Sequence, residues 1–183
     1  MSQADSKGKR APIRLHIGGH EKRAGWTIMD TLPGAQVDVI GNCRDLSQFA
    51  DGSVEEIYAS HVYEHLSYMH ELVPALQEAF RVLRHGGLMR LAVPDLEALC
   101  KLFAKPNQSF EQRNFLMRMI MGGQMDDFDY HKGGLWFEQL ELVLKDVGFN
   151  NVRRVESFGL FQDTSEKRFE GQAISLNISA YKA

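Results

Sequence analysis

Short apolar runs alternate with helical patterns along most of this chain. Runs of strand length predict strands at Ile13–Ile17, Thr27–Met29, Val37–Ile40, Glu56–Ser60 and Leu88–Val93. Strands separated by helical segments are typical of a parallel sheet that carries helices on both faces. The pattern therefore predicts an α/β fold with a doubly wound, mostly parallel sheet.

Helical periodicity predicts helices between the later strands. One apolar stripe precedes the fifth strand and consists of Leu72, Leu76, Phe80 and Leu83. His85-Gly86-Gly87 is expected to end that helix, because glycine commonly follows a last helical turn. Asp95 is expected to cap a short helix after the fifth strand. A further amphipathic helix is predicted from Leu135 to Val147, ended by Gly148.

The C-terminal part predicts two more strands, Val152–Val155 and Ile174–Tyr181. In the last run apolar and polar residues alternate, which is the period of a strand with one apolar face. We expect an antiparallel C-terminal strand in a pair at the edge of the sheet. An exposed final strand makes a homodimer one option for the oligomeric state.

Residues 105–134 interrupt the alternation and contain Met117, Met119, Met121 and Met125. One interpretation is a helical insertion whose methionines fill gaps in the core, since methionine adapts to irregular spaces. The other is a mobile lid over an apolar substrate. Both place the insertion near the carboxyl ends of the strands, where ligands bind in such sheets.

Composition fits a single domain over residues 13–183, preceded by a polar tail at 1–12 that is expected to be disordered. The net charge of −3 predicts no broad nucleic-acid surface. No apolar run approaches the length of a membrane span, so no membrane association is expected. Cys43 and Cys100 form no CxxC motif, which favours a reducing, cytoplasmic setting.

A glycine turn and a carboxylate provide the first functional signal. Gly18 and Gly19 follow the first strand, and Asp30 ends the second. Glycines let a backbone approach a ligand, and a carboxylate at the end of the second strand accepts hydrogen bonds from ribose hydroxyls. The order predicts a nucleoside-containing cofactor. A full GxGxxG is lacking, which argues against NAD and against a phosphate loop.

From about Ile13 to Val155 the motifs resemble those of class I S-adenosylmethionine-dependent methyltransferases, close to the methyltransferase type 11 group. Arg81-Val82-Leu83-Arg84-His85-Gly86-Gly87 is similar to the turn that precedes strand five in that family, and residues 46–53 are similar to another of its loops. The resemblance implies a Rossmann-like fold, S-adenosylmethionine as cofactor, and methyl transfer to a small-molecule or glycan-type acceptor. It implies these cofactor-binding residues: Gly18, Gly19, His20, Asp30, Asn42, Cys43, Ser60 and His61.

Two positions depart from the family pattern. His20 stands where a third glycine is usual, and Asn42 stands where an acid usually faces the adenine. The Asn42 side-chain oxygen is still expected to accept from the adenine amine. These departures motivate an alternative function, a non-catalytic cofactor-binding or interaction module of the same fold.

His61-Val62-Tyr63-Glu64-His65 also matches the H-x-x-E-H pattern of some zinc hydrolases. On one helix the two histidines would share a face and Glu64 would act as a base. However, His61 follows a predicted strand, and no third ligand is identifiable by spacing. We therefore predict no metal site.

His131 and Asp95 are the candidate catalytic residues. A base is needed only if the acceptor is a poorly ionised group, and both side chains are expected near the carboxyl ends of the strands. Histidine titrates near neutral pH, which suits His131 to this role. Asp95 has the competing interpretation of a helix cap. The acceptor and the methylated atom cannot be read from the sequence.

Overall fold

The computed structural model describes residues 12–183, so the predicted tail lies outside the described residues except for Pro12. The strands are β1 (Ile13–Ile17), β2 (Trp26–Asp30), β3 (Val39–Ile40), β4 (Val54–Ser60), β5 (Leu83–Pro94), β6 (Phe149–Val155), β7 (Arg168–Phe169), β8 (Gln172–Ala173) and β9 (Ser175–Lys182). One sheet has the order β3-β2-β1-β4-β5-β9-β6, and β7 and β8 form a separate hairpin. Pairing is parallel from β3 to β5, whereas β9 is antiparallel to both neighbours. The predicted fold class is confirmed.

The helices are α1 (Leu72–Val82), α2 (Leu96–Phe103), α3 (Phe110–Met121) and α4 (Phe137–Val147). As predicted, Asp95 caps α2 by accepting from the Ala98 amide, and Gly148 ends α4 with a left-handed φ of 117°. In the part of the chain that the structure describes, no helix is long and apolar enough to cross a membrane.

The main core lies between the sheet and the helices α1 and α4. Leu15, Ile57 and Leu91 come from three neighbouring strands and are fully buried there. The helices contribute Leu76 and Leu140 to the same cluster. This core holds β1 and β4 in place, so the loops that follow their carboxyl ends start from fixed points.

The predicted pair of final strands is confirmed at one end of the sheet, where β9 pairs with β6, but the prediction that the final strand is exposed is wrong. It lies between β5 and β6, and both of its faces are covered. Its polar residue Asn177 is 2% exposed because Nδ2 donates to the backbone oxygens of Glu156 and Ser165. The final strand therefore offers no free edge for a partner, and β6 is the edge strand on this side.

The predicted stop of α1 at His85-Gly86-Gly87 is also wrong. The helix ends at Val82, and all three residues belong to β5, which begins at Leu83. Gly87 lies where a Cβ would stand 2.7 Å from the backbone oxygen of Arg84. The glycine is needed for this close approach at the start of a strand.

Residues 18–25, which connect β1 to β2, contain no helix. The face of the sheet above this connection is covered by residues that follow β6. Phe161 packs against Trp26 and Tyr58 with ring centroids 5.3 and 4.9 Å apart. The Tyr58 hydroxyl donates to Asp163 at 2.7 Å, which fixes this covering segment, residues 156–166.

The Met-rich insertion contains α3, so its helical character is confirmed. Its methionines do not share one environment. Met119 packs against a small cluster with Leu102 and Leu116, whereas Met117, Met121 and Met125 are exposed by 41, 48 and 81%. The interpretation that the methionines fill the core therefore holds for Met119 alone.

Candidate functional site

A cavity of about 570 Å³ opens at the carboxyl ends of β1, β2 and β4. We call it the donor cavity. Seven of the eight predicted cofactor residues line it: Gly18, His20, Asp30, Asn42, Cys43, Ser60 and His61. Gly19 does not line it, because it packs beneath the ring of His16, where a Cβ would stand 2.7 Å from Cγ. The predicted residues therefore converge at the edge where open α/β sheets bind ligands.

Gly18 provides a close approach at the floor of the donor cavity. Its φ is 72°, and an added Cβ would lie 2.7 Å from Cγ2 of Val62. Its amide donates to the Met29 oxygen at 2.8 Å, which holds the turn against β2. A side chain at this position is excluded both by its backbone conformation and by its neighbour.

Asp30 ends β2 and holds the turn after it. Its Oδ1 accepts from the Leu32 amide at 2.9 Å and from the Thr31 hydroxyl at 3.4 Å. Within residues 12–183 no hydrogen-bond donor reaches Oδ2. One carboxylate oxygen thus orients the side chain, while the other is available to accept from a ligand hydroxyl at the cavity wall.

Asn42 faces its own turn. Its Oδ1 accepts from the Arg44 amide at 3.0 Å and from Arg44 Nε at 3.3 Å, so this oxygen is engaged rather than directed at a ligand. Cys43 next to it is 4% exposed, and burial raises the pKa of its thiol to about 12. The thiol is therefore neutral and does not act as a nucleophile near neutral pH.

His61 turns the chain sharply after β4. Its φ of 56° is a left-handed conformation, which is uncommon for a residue with a side chain. Its amide donates to the Ala92 oxygen at 2.8 Å, and its ring Nε2 contacts Ser175 Oγ at 2.9 Å. Strained non-glycine residues of this kind cluster at functional sites.

His16, which lies within β1, also lines the donor cavity. It is 4% exposed and its ring lies 4.2 Å from that of Phe161. Burial lowers the pKa of the imidazole to about 4, so it is neutral at pH 7. In the described chain its Nδ1 has no hydrogen-bond partner. An orphaned buried polar atom at the cavity wall fits a polar ligand.

Several lining residues were not predicted, and all of them except Arg44 come from distant parts of the sequence. They are Arg44, Glu71, Phe128, Tyr130, Lys132, Phe161 and Asp163. Glu71 lies between Arg44 Nη1 and Lys132 Nζ, and hydrogen bonds from the Ser67 amide and Lys132 hold the pKa of its carboxyl at about 2. No periodicity or spacing in the sequence signals this cluster.

A second cavity of about 250 Å³ adjoins the first and shares His61, His65 and Thr164 with it. We call it the inner cavity. His131 lines it, and burial is the main cause that lowers the pKa of this imidazole. Asp95 lines neither cavity. It is 5% exposed, caps α2, and lies 3.3 Å from Arg154 Nη2.

The H-x-x-E-H segment does not form the helix that a zinc hydrolase motif needs. Residues Tyr63–His65 form a 3₁₀ turn, and His61 precedes it in its left-handed conformation. His61 and His65 therefore do not share one helical face. Glu64 and His65 instead lie close to His131, which comes from the Met-rich insertion.

Comparison with known proteins agrees with this geometry. A family model for a methyltransferase domain matches residues 28–91, which run from β2 to β5. With the sheet order, the match confirms the resemblance to class I S-adenosylmethionine-dependent methyltransferases. S-adenosylmethionine is the cofactor that these findings indicate. No curated protein matches the chain in sequence.

Solved structures of methyltransferases share the fold at low sequence identity. The plantazolicin methyltransferase BamL, in complex with a triazolic desmethylPZN analog and SAH, superposes with a TM-score of 0.60 at 15% identity, covering 97% of this chain and 79% of that one. An S-adenosylmethionine-dependent methyltransferase from Archaeoglobus fulgidus superposes with a TM-score of 0.58 at 17% identity, covering 93% of this chain and 86% of that one. The CurJ carbon methyltransferase gives 0.57 at 16% identity over 95% of this chain. The chain spans about half of that protein (49%).

Proposed function

We propose that this protein transfers a methyl group from S-adenosylmethionine to a small-molecule or glycan-type acceptor. The observation that carries the proposal is the donor cavity, which brings Gly18, Asp30 and His61 together at the carboxyl ends of β1, β2 and β4. These are the positions that the family resemblance implies for cofactor binding.

The donor cavity suits an adenosine-containing ligand in size and chemistry. A volume of about 570 Å³ falls in the range of small-molecule sites, which is roughly 300–1,000 Å³. The free oxygen of Asp30 is proposed to accept from the ribose hydroxyls. Gly18 leaves room for the ligand against the backbone. Exposed His20 stands at the cavity mouth, where its side chain can turn into solvent.

The inner cavity is the proposed acceptor site, because it shares His61 and His65 with the donor cavity. Arg118 and Lys167 also line it. Glu64 and Asp129 line it as well, so cationic and anionic side chains are present in equal number and the charge of the wall favours no one sign of acceptor. Met119 of the insertion also lines it and suits the apolar part of an acceptor.

When bound, S-adenosylmethionine supplies an activated methyl group. The protein contributes by positioning the two reactants and by excluding water from the junction of the two cavities. Of the two predicted catalytic residues, His131 lies on the wall of the inner cavity. Asp95 is engaged in the cap of α2 and with Arg154, and we propose a structural role for it.

Two observations favour the alternative of a non-catalytic module. The Asn42 oxygen is engaged by Arg44 rather than open to an adenine, and His20 replaces a glycine. Such a module would bind the donor without transferring its methyl group. For either function we propose a reducing, cytoplasmic setting, since Cys43 and Cys100 form no disulfide.

A labelling experiment separates the two functions. Purified protein is first titrated with S-adenosylmethionine by calorimetry, and then incubated with methyl-labelled donor and small-molecule and glycan-precursor fractions of a cell extract. Mass spectrometry follows the label. Micromolar donor binding with label in an acceptor supports methyl transfer. Binding without transfer to any fraction supports the module, and no binding of the donor contradicts both.

A further inference from the structure

We propose that Glu64, His65 and His131 form a binding site for a divalent transition-metal ion, with Zn²⁺ as the ion that suits it. One donor atom from each of these residues lies within 4.8 Å of the other two. All three residues line the inner cavity, and His65 also lines the donor cavity. The proposal concerns metal binding alone and does not depend on methyl transfer.

Glu64 provides the first observation. It is 1% exposed, and neither of its carboxylate oxygens accepts a well-directed hydrogen bond from the described residues. Burying an ionised carboxylate is costly unless a cation or hydrogen-bond donors compensate its charge. Its Oε1 lies 3.1 Å from His61 Nδ1 and 4.0 Å from His131 Nε2. The carboxylate therefore points at ring nitrogens rather than at solvent.

The tautomers of two histidines follow from their backbone contacts. His65 Nδ1 lies 3.1 Å from the Tyr130 oxygen, and His131 Nδ1 lies 3.2 Å from the Ile120 oxygen. A carbonyl oxygen only accepts, so both Nδ1 atoms carry the proton. In each neutral ring, Nε2 then carries a lone pair that can bind a metal ion. Metal-binding histidines are oriented by hydrogen bonds of this kind from the other ring nitrogen.

His61 extends the same argument. The Ser175 hydroxyl donates to the Thr164 oxygen at 2.8 Å, so it accepts from His61 Nε2 at 2.9 Å. His61 Nδ1 then faces Glu64 Oε1 at 3.1 Å, so a proton on Nδ1 or a cation beside the pair must compensate the buried carboxylate. A metal ion bound to Glu64, His65 and His131 supplies that positive charge.

The donor set determines the kind of ion. Two imidazoles and one carboxylate suit Zn²⁺ and related transition metals, whereas Mg²⁺ prefers oxygen ligands. Tetrahedral bonds of about 2.0–2.2 Å require donor separations near 3.3 Å, so on binding the ion must draw together donor atoms that now lie within 4.8 Å of one another. Three protein ligands leave a fourth position open toward the inner cavity. We expect water or an anionic ligand at that position, because the bound ion carries a positive charge.

The backbone supports this assembly. The backbone carbonyl oxygen of Glu64 accepts hydrogen bonds from the amides of Lys132 and Gly133 at 2.9 and 3.3 Å. These two bonds attach the insertion to the 3₁₀ turn. Gly122 packs so closely on this segment that a Cβ would stand 2.9 Å from the His131 amide. His131 is thus held beside Glu64 by the main chain, without the need for an ion to recruit it.

The test uses the full chain after treatment with a chelator, titrated by calorimetry with Zn²⁺ and, separately, with Mg²⁺. Co²⁺ provides a spectroscopic readout, because its d–d absorption reports the coordination number. We expect one Zn²⁺ per chain with micromolar or tighter affinity, a four-coordinate Co²⁺ spectrum, and no comparable binding of Mg²⁺. Glu64→Gln and His131→Ala are each expected to weaken Zn²⁺ binding at least about tenfold.

His85→Ala is the matched control. His85 is an exposed histidine near the amino end of β5, outside both cavities, and its loss should leave Zn²⁺ affinity unchanged. Absence of stoichiometric Zn²⁺ binding overturns the proposal. Equal Zn²⁺ affinity in wild type and in Glu64→Gln also overturns it, provided that circular dichroism shows the variant to be folded. A proton, or a positive charge on His61, would then compensate the Glu64 carboxylate. Donor titration of the same samples tests the proposed function separately.

Discussion

Gly18 and Val62 approach each other so closely that a Cβ on Gly18 would lie 2.7 Å from Cγ2 of Val62. The contact joins the end of β1 to the segment that follows β4, and both residues line the donor cavity. The donor cavity therefore keeps its width here only because residue 18 is a glycine and has no side chain.

Gly18→Ala is expected to destabilise the protein and to weaken donor binding. The left-handed backbone alone costs about 1–2 kcal/mol for a residue with a Cβ, and displacement of Val62 adds to it. Gly25→Ala is the matched control, because Gly25 has a φ of 82° but no atom within 4 Å of an added Cβ. Urea unfolding should show a larger loss for Gly18→Ala, and donor affinity should fall in that variant alone. Equal losses would contradict the importance of the contact.

His16 predicts a pH dependence of stability. Burial lowers the pKa of its imidazole to about 4 in the folded state, against about 6.5 in an unfolded chain. The unfolded state therefore binds the proton first, and stability is lost as the pH falls from 6.5 toward 4. Between pH 7 and pH 4.5 the expected contribution is about 2–3 kcal/mol.

The matched variant for this effect is His16→Phe, which keeps an aromatic ring among Tyr58 and Phe161 but cannot titrate. Urea unfolding at both pH values should show a smaller acid loss in the variant than in wild type. The same acid loss in both proteins would mean that other groups, and not His16, carry the pH dependence.

Asp95 tests whether a side chain predicted as catalytic has a structural role instead. Asp95→Ala removes the cap of α2 and should cost about 1 kcal/mol of stability. Asp95→Asn keeps an oxygen for the Ala98 amide, so it should retain most of the stability and the full methyl-transfer rate. A large loss of transfer in folded Asp95→Asn, measured with an identified acceptor, would restore the catalytic interpretation.

The sequence predicts the strands well because their apolar runs are local signals. It is less informative where partners are distant. The alternation in β9 reports one apolar face, but Asn177 and Ser175 are also buried because the covering segment supplies their hydrogen-bond partners. Periodicity cannot distinguish a polar residue in solvent from one that is buried and hydrogen-bonded. The exposure of β9 is therefore predicted wrongly, although its pairing with β6 at the end of the sheet is predicted correctly.

The same limit applies to the site. Local motifs at Gly18, Asp30 and His61 predict residues that do line the donor cavity, since the ends of parallel strands share one edge. Phe161 covers the sheet from a segment without a periodic pattern. Glu64 and His131 are brought together by the path of the insertion, which no spacing rule encodes. Sequence spacing alone therefore supplied no third ligand for the H-x-x-E-H segment.

The central claim is that the donor cavity binds S-adenosylmethionine through Asp30. Calorimetric titration of wild type, Asp30→Ala, Asp30→Asn and Asp146→Ala with S-adenosylmethionine and its demethylated product tests it most directly. Asp146 is an exposed carboxylate on α4, outside both cavities. Asp30→Asn keeps an oxygen for the Leu32 amide but lacks the charge.

We expect micromolar binding of S-adenosylmethionine in wild type and in Asp146→Ala. Binding should be roughly 10- to 100-fold weaker in both Asp30 variants, because each loses a charge-assisted hydrogen bond to the ligand. Unchanged affinity in the Asp30 variants would contradict the assignment of the ribose to this carboxylate. No binding by the wild-type protein would contradict the donor site itself.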